Sequence, residues 1–496
     1  MNATVDEMKL LLRSRYGGIL LETEDPDRAL QSAKRLSGLL SIPLFVWSST
    51  SGLKREDEAG PIFGTQGLKG ALNHIRASRF PSIYYLRASD DDMENSHLVD
   101  TLEEACRAME EIAGGILLGG LNVSIPAQLK GHVTKVALPS PSPDEYKAML
   151  VGLVRDLSKK RKVKVKLTQE QANRLIQNLR GFTLLEAEKV LTKAIIVDDA
   201  LTEKDIQGVI QAKTEIVQRD GLLEYYPADS QMTDIAGLRG LKHWLRKRKS
   251  LLNDPKKAEA FGLQFPKGIL LLGIPGTGKS LCAKAVGMEW SLPLLKMDPG
   301  ALYNRYVGQT EENFRRAMDI AEKMSPVVLW IDEIEKAFQS SGSDSNDGGL
   351  SGRVLGTFLN WMQERAGEVF VVATANDVSR LPPELLRKGR LDEIFFLDLP
   401  DSKAREELFS IHLKKKNLQP AEFDLEMLAN EAEGFTGADI EQAVISSIFT
   451  AFERGGQVEL KDVLQEVKAT KCLAEVMPEK IQALRDWANG RTVSAD

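Results

Sequence analysis

The sequence has few cysteines and no long apolar segment. Its three cysteines, Cys106, Cys282 and Cys472, are odd in number and share no metal-ligand spacing, so we expect neither a disulfide framework nor a zinc site. No run approaches the roughly 18 apolar residues of a membrane span, and the first residues lack the basic-then-apolar order of a signal peptide. These absences indicate a protein of a reducing compartment without a membrane-spanning segment.

A net positive charge is also lacking. The 496-residue chain has a net charge of −6, which gives no electrostatic footprint for nucleic acid. We interpret the short basic runs at 159–162 and 246–249 as solvated helix faces. The length suggests roughly three or four domains, so a large buried core is possible. No nucleic-acid partner is expected.

A phosphate-binding loop is present at 273–280. Its sequence matches G-x-x-x-x-G-K-[ST], with an apolar run before it and helix-forming residues after it. In this order, backbone N–H groups and a helix N-terminus can hold phosphates, while Lys279 reaches the β and γ phosphates and Ser280 ligates Mg²⁺. The alternative, a Gly-rich turn without a ligand, is disfavoured because the flanks agree with the motif. The predicted nucleotide-binding residues here are Gly273, Pro275, Gly276, Thr277, Gly278, Lys279, Ser280 and Leu281.

Polar residues follow two apolar runs downstream of the loop. The run 327–331 is typical of a central parallel strand and ends at Asp332 and Glu333. We expect Asp332 to hold Mg²⁺ through water and Glu333 to polarise the attacking water. The run 370–374 leads to Asn376, whose amide can orient that water. An Asp-Glu pair after an apolar run is common, but after a phosphate-binding loop it is a strong signal.

Two arginines, Arg387 and Arg390, precede the apolar run 394–397. They are suited to neutralising charge on phosphoryl oxygens in the transition state. If the pair is taken alone, a surface pair at a helix C-terminus is the better interpretation.

The first half of the chain alternates predicted strands with predicted helices. Strands are predicted at 18–21, 43–47, 82–86, 116–118 and 133–138, a helix at 27–40, and a helical region from about 143 to 218. This alternation favours a parallel α/β sheet. Within the helical region, Thr168 has capping-box spacing and is expected to open a helix.

The two halves share short segments at nearly constant offsets. Gly-Ile-Leu-Leu occurs at 18–21 and 268–271, and Gly-Phe-Thr occurs at 181–183 and 434–436. We interpret the matches as duplication of one domain. Two independent α/β domains of similar order are the alternative.

The chemistry of the loop is missing from the first copy. Ala29 and Leu30 stand where the second copy has Lys279 and Ser280. The segment 23–27 places carboxylates where phosphates would lie, and like charges repel. The first copy is therefore predicted to bind no nucleotide.

These motifs together resemble a known family. From about Tyr226 onward the chain resembles AAA ATPases of the subfamily that includes the Cdc48 and katanin-type proteins. The resemblance implies that Asn376 is the polar sensor and that Arg387 and Arg390 reach the nucleotide of a neighbouring subunit. It also implies a homo-oligomeric ring, a hexamer, that binds ATP and Mg²⁺.

The resemblance further implies which residues meet the adenine base. Asp234 and Ala236 lie in Asp-Ile-Ala-Gly, which resembles the Asp-Ile-Gly-Gly element that lies against adenine in the family. Ala236 departs from glycine and adds a methyl group there. His412, Gly437 and Ala438 match the lid positions that close over the base.

A candidate pore loop lies between the phosphate loop and the acidic pair. Tyr306, Val307 and Gly308 match the aromatic-apolar-Gly pattern that the family projects into its central pore. There the aromatic ring can wedge against polypeptide of any sequence. The alternative is a hydrophobic turn within the fold. The polar segment 340–352 is a second candidate pore loop and could equally be disordered.

The order of a degenerate AAA-like half and one intact module is similar to that of AAA proteins encoded in cyanobacterial and algal plastid genomes. This resemblance implies a cytoplasmic location, in a bacterial cytosol or a plastid stroma. It also implies a role in photosynthetic regulation that no residue shows by itself.

We therefore predict an α/β protein with two P-loop NTPase-like (AAA+) parallel-sheet domains, each followed by a small helical lid. The predicted parts are a degenerate AAA-like domain (1–142), a helical lid and linker (143–222), an active ATPase large domain (223–400), and a helical lid with a C-terminal helix (401–496). The predicted function is an ATP-hydrolysing remodeller that acts as a ring, threads or dissociates proteins, and meets substrates or adaptors through its first half. The alternative is an ATP-gated scaffold that does not thread, and helicase or clamp-loader activity is disfavoured because no basic stripe stands out.

Overall fold

The computed structural model describes residues 2–23, 25–58, 60–87, 89–120, 123–159, 161, 163–219, 221–226, 236–253, 255–302, 307–338, 350–365, 367–387 and 389–496. The chain divides into two compact units, Met1–Thr202 and Glu203–Asp496.

The first unit is an α/β unit. Its strands are β1 (Gly18–Glu22), β2 (Leu44–Ser48), β3 (Gly52–Arg55), β4 (Ile83–Arg87), β5 (Gly115–Gly120), β6 (Val133–Ala137), β7 (Lys164–Val165) and β8 (Ala200–Leu201). Its helices are α1 (Asn2–Arg13), α2 (Pro26–Leu40), α3 (Leu68–Ala77), α4 (Asp90–Glu94), α5 (Ser96–Glu111), α6 (Pro143–Ser158), α7 (Gln169–Leu179) and α8 (Leu184–Asp198).

Six of these strands form one sheet in the order β3-β2-β4-β5-β1-β6. The strands are parallel except for β3, which pairs antiparallel with β2. Ile19, Leu20 and Leu21 of β1 are fully buried because apolar clusters cover the sheet on both faces. The predicted parallel α/β sheet is confirmed for this half.

The helices that follow this sheet begin at side-chain caps. Ser142, Thr168 and Thr183 each form a capping box with the residue three positions on. Each box satisfies two backbone N–H groups that a helix start leaves unpaired. The predicted helix start at Thr168 is confirmed.

The second unit is also an α/β unit. Its strands are β9 (Glu224–Tyr226), β10 (Gly268–Gly273), β11 (Leu294–Met297), β12 (Val327–Ile331), β13 (Val369–Ala375), β14 (Glu393–Leu397) and β15 (Val493–Ser494). Its helices are α9 (Glu203–Gln218), α10 (Arg239–Asn253), α11 (Pro255–Ala260), α12 (Lys279–Trp290), α13 (Pro299–Leu302), α14 (Val307–Lys323), α15 (Leu350–Glu364), α16 (Ser402–Lys415), α17 (Leu425–Glu431), α18 (Gly437–Arg454), α19 (Leu460–Ala469), α20 (Leu473–Val476) and α21 (Pro478–Ala488).

The strands of this unit form a sheet in the order β15-β14-β10-β13-β12-β11-β9. Only β9 pairs antiparallel. Strands β10, β12 and β13 are buried throughout, which is why their sequences are continuous apolar runs. Helices α16 to α19 pack around a separate apolar cluster, so the predicted α/β domain with a helical lid is confirmed here.

The two sheets repeat one strand order. When β3 of the first sheet and the edge strands β15 and β9 of the second are left out, the order is β6-β1-β5-β4-β2 in the first unit and β14-β10-β13-β12-β11 in the second. The repeated Gly-Phe-Thr segment also has one conformation, because Gly181 and Gly434 have φ angles of 90° and 81° and the threonine after each phenylalanine caps a helix.

The two units divide after Thr202, which lies inside the predicted helical lid and linker (143–222) and not at its end. Helix α9, which the sequence analysis grouped with residues 143–222, belongs to the second unit. It packs against β9, where Lys213 Nζ lies 5.5 Å from the ring centroid of Tyr225. The division of the chain into four parts stays a prediction.

Candidate nucleotide-binding and catalytic site

The phosphate loop connects β10 to α12, as the sequence predicts. Gly276 and Gly278 have φ angles of 82° and 87°, a region that costs a residue with a side chain extra energy. A Cβ atom on Gly273 would lie 2.3 Å from the carbonyl oxygen of Leu397. Glycine is therefore required where the backbone turns and where the loop leaves the sheet.

Lys279 is the first residue of α12 and is only 7% exposed. Its Nζ donates hydrogen bonds to the carbonyl oxygens of Gly273 and Ile274, at 2.9 and 2.8 Å. Burial lowers the pKa of Lys279 to about 8, although the nearby Glu335 carboxylate opposes this shift. The ammonium group is thus held inside the loop, where it can bind phosphate oxygens.

Ser280 and Asp332 meet beside the loop. Ser280 Oγ donates to Asp332 Oδ1 at 3.5 Å, and Thr374 Oγ1 donates to the same oxygen at 2.7 Å. Thr374 Oγ1 also accepts from the backbone N–H of Glu333 at 3.0 Å. A hydroxyl and a carboxylate are oxygen ligands that suit Mg²⁺, which takes few protein ligands beside substrate phosphates. These residues fit the predicted metal pair.

Glu333 and Asn376 are brought into direct contact. The Asn376 side-chain amide donates to Glu333 Oε1 at 2.8 Å, and Lys336 forms an ion pair with Glu333 Oε2. Glu333 has a φ angle of 50°, which is uncommon for a residue with a side chain and is concentrated at functional sites. Both carboxylate oxygens of Glu333 are therefore held in one orientation at the edge of the sheet.

Sequence reasoning missed Glu335. It is 5% exposed, and its Oε1 accepts from the backbone N–H of Asn376 at 3.0 Å. Burial raises its pKa, and Glu333 adds to this effect, while hydrogen bonds to the carboxylate act in the opposite direction. A single acidic residue in Ile-Glu-Lys-Ala-Phe resembles an exposed helix position, so only the fold reveals that Glu335 supports the Asn376 backbone.

The described residues form one cleft of about 400 Å³ around these groups. Its lining contains Ala236, Pro275, Gly276, Thr277, Gly278, Lys279, Ser280, Leu281, Asp332, Glu333, Asn376, His412, Gly437 and Ala438. These residues come from the phosphate loop, the two strand ends and the lid. The structure therefore brings most of the predicted binding and catalytic residues together.

The lid meets the phosphate loop at its glycines. The backbone N–H of Ala438 donates to the carbonyl oxygen of Gly276 at 3.2 Å, and a Cβ atom on Gly276 would lie 2.8 Å from Thr436 Oγ1. His412 is buried, and burial lowers its pKa although Glu441 acts in the opposite direction. The imidazole is therefore neutral near pH 7 and adds no charge to this side of the cleft.

Other predicted residues lie apart from the cleft lining. Arg387 is exposed, and Arg390 Nη1 is buried without a hydrogen-bond partner among the described residues. Asp234 and Tyr306 lie outside the described residues, as does most of the segment 340–352. Val307 and Gly308 begin α14, so the pore-loop prediction stays a prediction.

The corresponding loop of the first unit has different contacts. Arg28, near the start of α2, is 2% exposed. Its Nη1 donates to the carbonyl oxygen of Pro139 at 2.7 Å, and its Nη2 lies 3.3 Å from Glu145 Oε1 on α6. Asp25 caps α2 and accepts from the backbone N–H of Leu184 at 3.3 Å. Side chains of the chain itself connect this loop to both helices, α6 and α8.

Among the residues that the structure describes, no helix combines the length and apolar character of a membrane span.

Family models match four segments of the chain. The model described as ATPase family associated with various cellular activities (AAA) matches residues 269–399, and the AAA+ lid domain model matches 422–465. The models described as SpoVK-like AAA ATPase, N-terminal domain, and SpoVK-like AAA ATPase, second domain, match 4–138 and 144–220.

Relatives match over the full length of the chain or over part of it. The chain is 35% identical over 504 residues to the uncharacterized AAA domain-containing protein ycf46 of Pyropia yezoensis, covering 100% of this chain and 99% of the relative. It is 33% identical over 492 residues to the protein of the same name from Guillardia theta, covering 98% and 95%. It is also 33% identical over 324 residues to the cell division cycle protein 48 homolog of Archaeoglobus fulgidus, covering 64% and 44%. The predicted resemblance is confirmed: the chain belongs to the AAA ATPase family, is an ATPase, and shares its whole length with the plastid-encoded ycf46 AAA proteins.

Proposed function

We propose that the chain assembles into a ring, a hexamer, in which ATP hydrolysis drives the remodelling of other proteins. The observation that carries this proposal is the composition of the nucleotide cleft. Its described lining holds the phosphate loop, the metal pair and the water-polarising pair, but no arginine. Phosphoryl transfer in related enzymes uses an arginine that stabilises transition-state charge, so a neighbouring subunit would complete this site.

Within one chain, each polar group of the cleft has a defined task. The backbone of 276–280 and Lys279 bind and orient the phosphates. Ser280 and Asp332 would hold Mg²⁺, which screens phosphate charge when it is bound. Glu333 accepts a proton from the attacking water on a carboxylate oxygen. Asn376 keeps that carboxylate in place through its 2.8 Å hydrogen bond.

Arg390 is the better candidate for the arginine that a neighbour supplies. Its Nη1 has no hydrogen-bond partner among the described residues, and an unpaired buried donor is costly. Because this atom is buried within its own subunit, the side chain would have to turn outward when a neighbour's phosphate offers an acceptor. Arg387 is exposed on the same segment and is proposed as the second finger. In a closed ring, one face of each subunit would carry the cleft and the opposite face these arginines.

The contact between lid and loop supports a mechanical role. Ala438 bonds directly to Gly276, and Gly276 belongs to the loop that holds the phosphates. A change at the phosphates on hydrolysis would therefore reach α18 through one backbone contact. We propose that lid rotation driven in this way moves the pore segment around Tyr306 along a bound polypeptide.

The first unit is proposed to be a degenerate copy of the ATPase domain with its lid. The shared strand order and the matching Gly-Phe-Thr segments support this assignment. Because its loop offers carboxylates and Arg28 in place of a phosphate site, the copy is proposed to select substrates or adaptors. The relation to plastid-encoded proteins supports a bacterial cytosol or a plastid stroma, and a role in photosynthetic regulation, as further proposals.

Tyr306→Ala tests whether the ring threads its substrate. Removal of the aromatic side chain of Tyr306 forfeits about 1 to 3 kcal/mol of contact with the polypeptide in each engaged subunit. We expect basal ATPase activity and ring assembly close to those of the parent protein. Stimulation of ATPase activity by a protein substrate, and unfolding of a tagged reporter, should both be lost.

Two matched variants make this experiment specific. Tyr306→Phe keeps the aromatic ring and should keep unfolding activity, and Tyr303→Ala removes a neighbouring ring that lies outside the pore pattern. If Tyr306→Ala rings process the reporter at the parent rate, threading is wrong. The ATP-gated scaffold, or a remodeller that acts through its outer surface, then becomes the better account.

A further inference from the structure

The segment that carries the two arginines is bonded to the start of β10, whose other end leads to the phosphate loop. Gly268 N–H donates to Asp392 Oδ2 at 2.9 Å, and Asp392 N–H donates to the carbonyl oxygen of Gly268 at 2.8 Å. A Cβ atom on Gly268 would lie 2.2 Å from the carbonyl oxygen of Val371, so this close approach requires glycine. The residues just before β14 are therefore fixed against the first residue of β10.

Lys267, the residue before β10, holds the same segment through its side chain. Its Nζ donates to the carbonyl oxygen of Gly389 at 2.9 Å. Gly389 has a φ angle of 92°, and this contact restricts it to one of the many backbone conformations that glycine can adopt. The peptide group that Lys267 binds also contains the backbone nitrogen of Arg390. Lys267 therefore fixes the backbone at the residue that is proposed as the arginine finger.

The backbone of Lys267 is held by contacts that do not involve its side chain. Val371 N–H donates to the carbonyl oxygen of Lys267 at 3.0 Å, and Arg365 Nη2 donates to the same oxygen. The Arg365 guanidinium lies over the ring of Trp361, 4.8 Å from its centroid. Removal of the partly exposed Lys267 ammonium group should therefore leave the sheet intact and change the contact with Gly389.

Arg390 lies between two fixed positions of the backbone. Lys267 binds the residue before it, Gly389, and Asp392, two residues after it, is bonded to β10. Leu391, the residue between Arg390 and Asp392, is only 8% exposed. Arg390 Nη1, by contrast, has no hydrogen-bond partner among the described residues. The backbone at Arg390 is thus held on both sides, and a side chain that turns outward from it reaches a defined region of space.

We propose, on the basis of the role proposed for Arg390 between subunits, that Lys267 is a positioning residue for ATP hydrolysis in the neighbouring subunit. By fixing the backbone at Arg390, it sets where the guanidinium arrives when the side chain turns towards the neighbour's phosphates. A misplacement of about 1 Å in a group that acts on the transition state can lower the rate about a hundredfold. Lys267 precedes the strand that leads to the phosphate loop of its own subunit, yet its side chain contacts the arginine segment. Its effect is therefore expected at the neighbour's site and not at its own.

Lys267→Met in the full chain tests this proposal, because it keeps the aliphatic stem and removes Nζ. We expect ATP affinity and ring assembly close to those of the parent protein, and a fall in kcat of about tenfold to a hundredfold. Lys267→Arg keeps a donor for the Gly389 carbonyl and should keep most of the parent kcat. Lys247→Met is the matched control, because Lys247 is exposed on α10. A parent kcat in Lys267→Met, or loss of its ATP binding or ring assembly, would overturn the proposal.

Mixed rings separate an effect on the neighbour's site from an effect on the subunit's own site. Lys267→Met mixed with Glu333→Gln should give more ATPase activity than the two variants measured separately, because some interfaces then contain both intact groups. Lys267→Met mixed with Arg390→Ala should give no such gain, because both defects lie on the same face. The opposite pattern would show that Lys267 acts through its own phosphate loop, and the proposal is then wrong.

The mixture of Arg390→Ala with Glu333→Gln tests the proposed function separately. If this mixture recovers activity and Lys267→Met with Glu333→Gln does not, Arg390 acts between subunits but Lys267 does not position it. If the mixture of Arg390→Ala with Glu333→Gln does not recover, the role of Arg390 between subunits is itself wrong, and the role of Lys267 falls with it.

Discussion

The loop of the first unit that corresponds to the phosphate loop is held by Arg28, and removal of this guanidinium should open it. Arg28 connects the start of α2 to the carbonyl oxygen of Pro139 at 2.7 Å and to Glu145 at 3.3 and 3.4 Å. A hydrogen bond from a charged donor contributes about 1.5 to 3 kcal/mol. The ion pair adds less than about 1 kcal/mol because Glu145 is partly exposed.

Arg28→Met keeps the apolar stem and removes both bonds. Part of the loss is offset because methionine does not bury a charge, so we expect local opening to become easier by about 2 kcal/mol. This corresponds to roughly thirtyfold faster hydrogen exchange at the start of α2 and at the start of α8. Helix α8 is affected because Asp25, which caps α2, also accepts from Leu184 N–H.

The assay is amide hydrogen exchange of the full chain, followed by mass spectrometry. Arg35→Met is the matched control, since Arg35 is exposed on the same helix. Exchange in the second unit should be the same in both variants. If Arg28→Met exchanges like Arg35→Met at the starts of α2 and α8, the guanidinium does not hold this region together.

The ion pair between Arg28 and Glu145 also has an expected pH dependence. Burial raises the pKa of Glu145, but the Ser142 N–H and the Arg28 guanidinium outweigh it, so the pKa is lowered overall. A lowered carboxyl pKa contributes stability above the ordinary carboxyl pKa, and this stability is lost as the pH falls through the lowered value. The difference in hydrogen-exchange rate between the parent protein and Arg28→Met should therefore become smaller at acidic pH.

Opening this region should not create a nucleotide site. In a Lys279→Ala chain, which lacks the phosphate-binding cation of the second unit, the changes Arg28→Gly and Ala29→Lys would reproduce the Gly-Lys pair of the phosphate loop. We still expect no binding of labelled ATP, because Asp25 and Asp27 remain where phosphates would lie. Saturable micromolar binding would contradict the prediction that this copy is inactive.

Two further predictions concern the second unit. Arg390→Ala should bind ATP and lose turnover by a factor of about 10³, and mixing it with Glu333→Gln subunits should partly restore ATPase activity, because some interfaces then contain both intact groups. No recovery in rings shown to be mixed would contradict action between subunits. Because burial lowers the pKa of Lys279 to about 8, its cation is present below that pH, and ATP affinity should fall as the pH rises through 8. Lys279→Met should bind ATP weakly, and its ATP affinity should change little between pH 7 and 9. ATP titrations of the parent protein and of Lys279→Met across this pH range check the assignment.

The phosphate loop and the strand ends were predictable because their signals are local. The buried strand β12 is a continuous apolar run, and the polar residues Asp332 and Glu333 mark its end. In a parallel sheet, successive strands place their carboxyl ends at one edge. Asn376, at the end of β13, was therefore expected near Glu333, and the structure places its amide 2.8 Å away.

Contacts that depend on tertiary packing were not predictable in the same way. Arg28 occurs in a helical pattern where a charged residue usually faces solvent, and only the fold brings Pro139 and Glu145 to it. Strand β15 has two residues, too few for a period-two pattern. Asp496 gave no signal because its hydrogen bond with Leu238 N–H depends on a left-handed loop conformation that the sequence does not specify.

The two units show one strand order with two different connections between the loop after the first central strand and the helices that follow the sheet. In the first unit, Arg28 and Asp25 tie the loop to α6 and α8 through side chains, so the helices are held whether or not a ligand is present. In the second unit, Ala438 bonds to the loop through backbone atoms at Gly276, and phosphates would bind to that same loop. A ligand can shift a conformational equilibrium only by binding its states with different affinity. We therefore expect nucleotide-dependent movement of α16 to α19 in the second unit and none of α6 to α8 in the first.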